Sequence, residues 1–74
     1  MADEQGYIIE FHQVGNAVKV SAMDPRTLTE VSIVGATGVS DTELTRLVVR
    51  KLEYVLAKRA AEGGTGGKTP GGNR

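Results

Sequence analysis

The sequence contains no cysteine and no tryptophan, and its only aromatic residues are two tyrosines and one phenylalanine. Without cysteine there are no disulfide bonds or thiolate metal sites, so a domain of 74 residues depends on its core or on self-association. The few aromatic side chains argue against a stacking platform for single-stranded nucleic acid. The single histidine, His12, cannot form a metal cluster, and the sequence predicts no metal site.

Long hydrophobic runs are missing as well. No apolar segment approaches the roughly 20 residues of a membrane span. The acidic start, MADEQG, lacks the hydrophobic region of a signal peptide. We therefore expect a cytoplasmic protein, and the absence of cysteine agrees with a reducing compartment.

The net charge is zero, but the charges are unevenly distributed. Residues 1–45 contain two basic and seven acidic residues, whereas residues 46–74 contain seven basic and two acidic residues. This asymmetry is typical of a helix that is charged to suit its own dipole, of two copies that attract each other, or of a basic binding end.

Two segments before residue 24, GYIIEFHQV and AVKVSAM, alternate between inward and outward positions as β-strands do. They flank Gly15 and Asn16, a pair that favours a two-residue hairpin turn because glycine tolerates positive φ. This turn places Phe11 opposite Val20. The two strands then share one apolar face.

A third segment, LTEVSIV, follows the turn sequence DPRT. Asp24 can accept hydrogen bonds from the backbone that follows it, and Pro25 presets φ for a turn. A loop over residues 24–27 places Val20 opposite Val31. Both turns thus assign the same apolar residues to one face, which is the face that a helix would cover.

The helix is predicted over SDTELTRLVVRKLEYVLAKRAA. Ser40 is a suitable N-cap, and Glu43 stands three residues later, as in a capping box. Gly63 and Gly64 end the helix. Its apolar stripe consists of residues at helical spacing: Leu44, Val48, Leu52, Val55 and Leu56.

The order of elements predicts an α+β fold, β-β-β-α, in which a three-stranded antiparallel meander is followed by one C-terminal helix packed on the sheet. We expect a single domain over residues 6–61. Residues 1–5 are predicted to be a flexible N-terminus, and residues 62–74 a disordered glycine-rich tail.

Two glycine-rich stretches resemble nucleotide loops. GATGVSD matches the GATGxxG variant of the dinucleotide loop at Gly35 and Gly38, but Asp41 replaces the third glycine, and a parallel βαβ unit is not predicted. EGGTGGKT ends like a P-loop, but Glu62 replaces its first glycine. His12 is predicted to lie on the solvated face of the sheet. We expect no cofactor and no enzymatic activity.

The basic residues of the helix raise the possibility of nucleic-acid binding. The β-β-β-α order resembles the C-terminal part of double-stranded-RNA-binding domains. That family has a lysine cluster at the start of this helix, where the present chain has Asp41 and Glu43. Weak, nonspecific binding is the alternative hypothesis, and its contacts would be Arg46, Arg50, Lys58 and Arg59.

GNAVKVSAMDPRT, TEVSIVG and RKLEYVLAKR together resemble small uncharacterised proteins of alphaproteobacteria that share a domain of unknown function. The resemblance covers roughly residues 6–60. The family pattern has glycine after the DPxT turn, where this chain has Leu28. It implies no activity, cofactor or catalytic residue.

The leading hypothesis is a non-enzymatic interaction module that forms a homodimer. Leu47 and Tyr54 lie beside the apolar stripe of the helix, with the stem of Lys51 between them. This is more apolar surface than one small sheet needs as cover. Leu47, Lys51 and Tyr54 are therefore the predicted self-association surface, and the chemical identity of any other protein partner stays open.

Overall fold

The computed structural model describes residues 5–63, which form three strands and one helix. The elements are β1 (Ile8–Val14), β2 (Ala17–Asp24), β3 (Thr29–Ala36) and α1 (Asp41–Gly63). The strands form an antiparallel sheet in the order β1-β2-β3, and α1 packs on one face of it. The predicted β-β-β-α fold is confirmed. Residues 1–4 and 64–74 of the predicted terminal segments lie outside the described residues.

The first hairpin has the predicted register. Phe11 pairs with Val20 and Val14 pairs with Ala17 across a two-residue loop. Gly15 has φ of 60°, whereas the loop residue that follows it does not have positive φ. A positive φ at the first loop position alone is the arrangement of a type II′ turn, whose twist suits a hairpin.

The predicted loop of the second hairpin, residues 24–27, is wrong by one residue. The loop consists of residues 25–28, and Asp24 is the last residue of β2. The backbone carbonyl of Asp24 accepts a hydrogen bond of 2.7 Å from the Leu28 N–H, which closes the turn one residue later than expected. Val20 therefore pairs with Ile33 and not with Val31. Since the shift amounts to two residues, every side chain keeps its predicted face.

Leu28 closes this loop in the left-handed region, with φ of 62°. A residue with a side chain is strained there by about 1–3 kcal/mol, whereas glycine is not. The side chain of Leu28 is 73% exposed, so it offsets little of this strain by packing.

The core lies between one face of the sheet and one stripe of α1. Its buried apolar side chains come from the segment at β1, from β2 and from the helix: Tyr7, Ile9, Val20, Ala22, Leu44, Val48 and Leu52. Phe11, Val18, Val31, Ile33, Val49 and Leu56 pack around them and are partly buried. The predicted apolar face and the first three residues of the predicted helical stripe are thus the core.

The connection from β3 to α1 depends on Gly35 and Ser40. A Cβ atom on Gly35 would lie 2.6 Å from Cδ2 of Leu44, which is closer than side chains approach each other. Glycine therefore lets the first turn of α1 settle on β3. The Ser40 hydroxyl accepts a hydrogen bond of 3.1 Å from the Glu43 N–H, and this confirms the predicted N-cap.

The Gly35→Ala substitution should destabilise the fold by about 1–3 kcal/mol, because Leu44 is fully buried and cannot move aside without disturbing the core. The free energy of unfolding in urea measures this. Gly38→Ala is the matched control, since a Cβ atom there meets nothing within 4 Å. Equal effects of the two substitutions would contradict the packing role of Gly35.

Candidate interaction surface

The three residues of the predicted self-association surface lie on one side of α1. Leu47, Lys51 and Tyr54 are spaced by four and three residues, and this spacing aligns side chains along a helix. Leu47 is 40% exposed and Tyr54 is 66% exposed, and Lys51 is exposed between them. We call this row of three residues the helix flank.

The helix flank lies along β3, which is an edge strand of the sheet. The position is fixed by Lys51, whose Nζ donates a hydrogen bond of 2.9 Å to the backbone carbonyl of Ser32. On the opposite side of α1, the Glu53 carboxylate accepts a hydrogen bond of 3.4 Å from the hydroxyl of Tyr7, the residue that precedes β1. The pKa of the Tyr7 phenol is raised, first because the side chain is buried and second because the negative Glu53 carboxylate lies beside it.

Lys51 therefore does more than separate two apolar residues. Its ammonium group satisfies a backbone carbonyl on the outer side of β3, where a further strand would otherwise pair. A lysine at a sheet edge opposes strand addition, because pairing there would bury or displace the charge. The side chains of Leu47 and Tyr54 are exposed, whereas the carbonyl of Ser32 at the edge of β3 is occupied by Lys51.

The other face of the sheet carries the polar residues that the sequence predicts. His12 pairs with Lys19 on β2, and both side chains are exposed. Two depressions on this face share Ser21 and Glu30 among their lining residues. Within residues 5–63, no hydrogen bond joins a serine of this face to His12 or to a carboxylate. These polar side chains therefore do not form a nucleophile–base pair.

Two of the four candidate nucleic-acid contacts are engaged within the fold. Arg46 donates a hydrogen bond of 2.9 Å to Glu43, in an exposed ion pair one helical turn apart. Arg59 donates a hydrogen bond of 3.0 Å to the hydroxyl of the buried Thr29. Their guanidinium groups are thus already directed at protein acceptors.

The other two basic residues, Arg50 and Lys58, are exposed and form no hydrogen bond or ion pair within the described part of the chain. At 100° per residue, Arg46 and Arg50 lie towards solvent, Lys58 lies near the helix flank, and Arg59 lies towards the sheet. The four side chains therefore do not share one surface of the helix.

The GATGVSD stretch forms the end of β3 and the connection to α1, and β3 belongs to an antiparallel sheet, whereas a dinucleotide loop belongs to a parallel βαβ unit. The EGGTGGKT stretch lies almost entirely outside the described residues. Among residues 5–63, no group of three potential metal ligands comes together. No helix in this part of the chain is long and apolar enough to cross a membrane.

A family model described as a domain of unknown function, DUF6898, matches residues 4–59. The chain belongs to the DUF6898 family. No curated protein and no solved structure matches the chain at a significant level. The DUF6898 match includes all three strands and α1 as far as Arg59.

A second group of polar residues in the DUF6898 domain surrounds the turn between β2 and β3. The buried carboxylate of Asp24 accepts hydrogen bonds from the Arg26 backbone N–H at 3.0 Å and from the Arg26 Nε at 3.2 Å. The Thr27 hydroxyl lies 3.4 Å from its second oxygen. These donors, first of all the Arg26 backbone N–H, hold the pKa of Asp24 below its usual range, although burial opposes them.

Thr29 connects this turn to the helix. Its hydroxyl accepts a hydrogen bond from Arg59 and lies 2.9 Å from the hydroxyl of Thr27. The contact between Arg59 and Thr29 is not predictable from the sequence, because 30 residues separate them and neither residue stands in a recognisable motif. Hydrogen bonds through Thr29 therefore connect the last part of α1 to the β2–β3 hairpin of the DUF6898 domain.

The Asp24→Asn substitution should destabilise the domain at neutral pH by about 1–2 kcal/mol, because the hydrogen bonds to a charged acceptor are weakened. The folded-state pKa of Asp24 lies below the unfolded-state pKa. Its contribution to stability is therefore present above about pH 4 and is lost as the pH falls through the folded-state pKa.

Urea unfolding between pH 2 and pH 7 measures this contribution. The wild-type protein should lose more stability over the acid range than Asp24→Asn does. Glu10→Gln, which removes an exposed carboxylate of the sheet, should keep the wild-type profile. If Asp24→Asn has the same acid dependence as the wild-type protein, the assigned role of Asp24 is wrong.

Proposed function

We propose that the protein is a small non-enzymatic interaction module that acts as a homodimer. The observation that carries this proposal is the exposure of Leu47 and Tyr54 on the helix flank. The helix already covers its sheet face with Leu44, Val48 and Leu52, so the flank residues add nothing that the core requires. Exposed apolar side chains that lie on one side of a helix support an interaction surface there.

We also propose that the protein works in the cytoplasm and comes from an alphaproteobacterium. The complete absence of cysteine supports a reducing compartment. The alphaproteobacterial source rests on the resemblance of GNAVKVSAMDPRT and the segments after it to small proteins of those bacteria.

The homodimer predicts a concentration-dependent mass. Sedimentation equilibrium between about 5 and 500 µM should give a monomer–dimer equilibrium, since a surface of this size is at the weak end of protein interfaces. Leu47→Ser should weaken the dimer about tenfold or more, because it removes an apolar contact that both copies supply. A monomer mass over the whole range would contradict the homodimer.

Val14→Ser is the matched control for Leu47→Ser. It also replaces an exposed aliphatic side chain by serine, but it stands at the end of β1, on the far side of the sheet from β3. The Val14→Ser variant should dimerise with the same dissociation constant as the wild-type protein. An equal loss in both variants would mean that general surface hydrophobicity, and not the helix flank, drives association.

Weak and nonspecific nucleic-acid binding is the second candidate function. It is supported by Arg50 and Lys58, which are exposed and have no acidic partner among the described residues. The ion pair of Arg46 and the hydrogen bond of Arg59 reduce the charge that this surface can offer. We therefore expect contacts with only a few phosphates and a low affinity that decreases as the salt concentration rises.

Fluorescence anisotropy with a labelled duplex tests the second candidate. At low salt we expect weak binding that falls below detection at physiological salt, because the affinity is low from the start and comes from counterion release. Arg50→Ala should reduce the low-salt binding more than Arg59→Ala does, since Arg59 is directed at Thr29. Submicromolar binding that persists at physiological salt would make nucleic acid the primary ligand.

A further inference from the structure

Four side chains on or beside the helix flank form a pattern that is complementary to itself when it is reversed. From the N-terminal end of α1 they are Glu43, Leu47, Tyr54 and Lys58, at intervals of four, seven and four residues. These intervals keep the four side chains on one side of the helix. When a second helix runs in the opposite direction, the intervals are the same. The two apolar positions then lie opposite each other, and the acidic residue lies opposite the basic residue.

We propose that a second copy of the chain packs its α1 antiparallel against the helix flank, in the register set by this pattern. In this arrangement Leu47 contacts the partner's Tyr54, and Glu43 pairs with the partner's Lys58. A two-fold axis makes each contact occur twice. The inference rests on the homodimer proposed above and specifies its interface.

The charged groups at both ends of the pattern are available for this contact. Lys58 is exposed and has no hydrogen bond or ion pair within residues 5–63. One oxygen of the Glu43 carboxylate, Oε1, accepts the hydrogen bond from Arg46, which leaves Oε2 to a partner. The antiparallel arrangement also places opposite ends of the two helix dipoles side by side.

The centre of the register lies between Arg50 and Lys51, and these two cations diverge from the line of contact. Lys51 points towards the sheet, where its Nζ bonds the carbonyl of Ser32. Arg50 stands 100° away around the helix, on its solvent side. The contact line is thus occupied by the apolar pair, with the cations on either side of it.

The hydrogen bond of Lys51 also favours contact between helices over contact between strands. Direct pairing of two β3 edges would require both copies to break the hydrogen bond from Lys51 to the carbonyl of Ser32. Helix packing at the usual axis separation of about 8–10 Å leaves this hydrogen bond in place. The second copy is therefore assigned to α1.

Disulfide trapping tests the register, and the chain has no cysteine of its own to interfere. We prepare Leu47→Cys and Tyr54→Cys as separate full-length proteins and oxidise each alone and both in an equimolar mixture. In the proposed register the engineered thiols meet only in the mixed dimer. Like thiols on two copies would be about 10 Å apart along the helix, which exceeds the reach of a disulfide.

The expected result is a covalent dimer that forms at least several times faster in the mixture than in either protein alone. The same mixture in denaturing urea gives the rate at which disulfides form by random collision of unfolded chains. If the mixture is no faster than the single proteins while sedimentation still gives a dimer, the register is wrong and the homodimer stands. If the wild-type protein is a monomer, both proposals fail.

Charge reversal provides an independent test that leaves the apolar contact in place. Glu43→Lys and Lys58→Glu should each weaken the dimer roughly tenfold, because each turns two attractive pairs into repulsive ones. The double variant should recover most of the affinity. Glu30→Lys and Lys19→Glu, on the open face of the sheet, make the same changes of net charge and should leave the dissociation constant unchanged.

Thermal unfolding of every variant separates loss of contact from loss of fold, since Glu43 also pairs with Arg46 in the first turns of α1. Recovery in the double variant cannot come from a restored fold if both single variants melt as the wild-type protein does. A double variant that is as weak as its parents would overturn the pairing of Glu43 with the partner's Lys58.

Discussion

The packing of α1 on the single apolar face of the sheet is the constraint on which the rest of the molecule depends. Leu44, Val48 and Leu52 are buried against Val20 and the residues around it, and the described part of the chain has no second core. Each such side chain contributes about 1.5–3 kcal/mol when it is buried. A domain of this size has no other large source of stability, so close approach of helix and strand at Gly35 matters more than it would in a larger protein.

The same packing determines which surfaces remain available. Because the helix lies over the sheet with Lys51 on the β3 side and Glu53 on the β1 side, its two flanks cannot be exchanged. Lys51 protects the carbonyl of Ser32 at the edge of the sheet, and the apolar residues beside it stay in solvent. The exposure of Leu47 and Tyr54 and the hydrogen bond at the edge of β3 are thus consequences of one helix orientation.

The polar turn between β2 and β3 is held together by hydrogen bonds among its own side chains and one from the helix. Its carboxylate, hydroxyl groups and guanidinium groups could suggest a site, but each of them is directed at a neighbour within the fold. Asp24 is held in the charged form by donors from its own turn, and Thr29 receives Arg59 from the helix. The strained Leu28 closes the loop beside them, where glycine would adopt the same φ without strain.

The sequence by itself determined the order of elements, the apolar face, the first hairpin register and the cap at Ser40, because each follows from periodicity or from turn and capping chemistry within a few residues. It misplaced the second loop, since it could not decide whether Asp24 ends a strand or begins a turn; the hydrogen bond from Leu28 decides that. Only the tertiary structure could connect Lys51 to Ser32 and Arg59 to Thr29, because these contacts depend on the position of the helix across the sheet. Spacing along the helix identified Leu47 and Tyr54, but their place beside an edge strand is a property of the folded chain, in which distant segments meet.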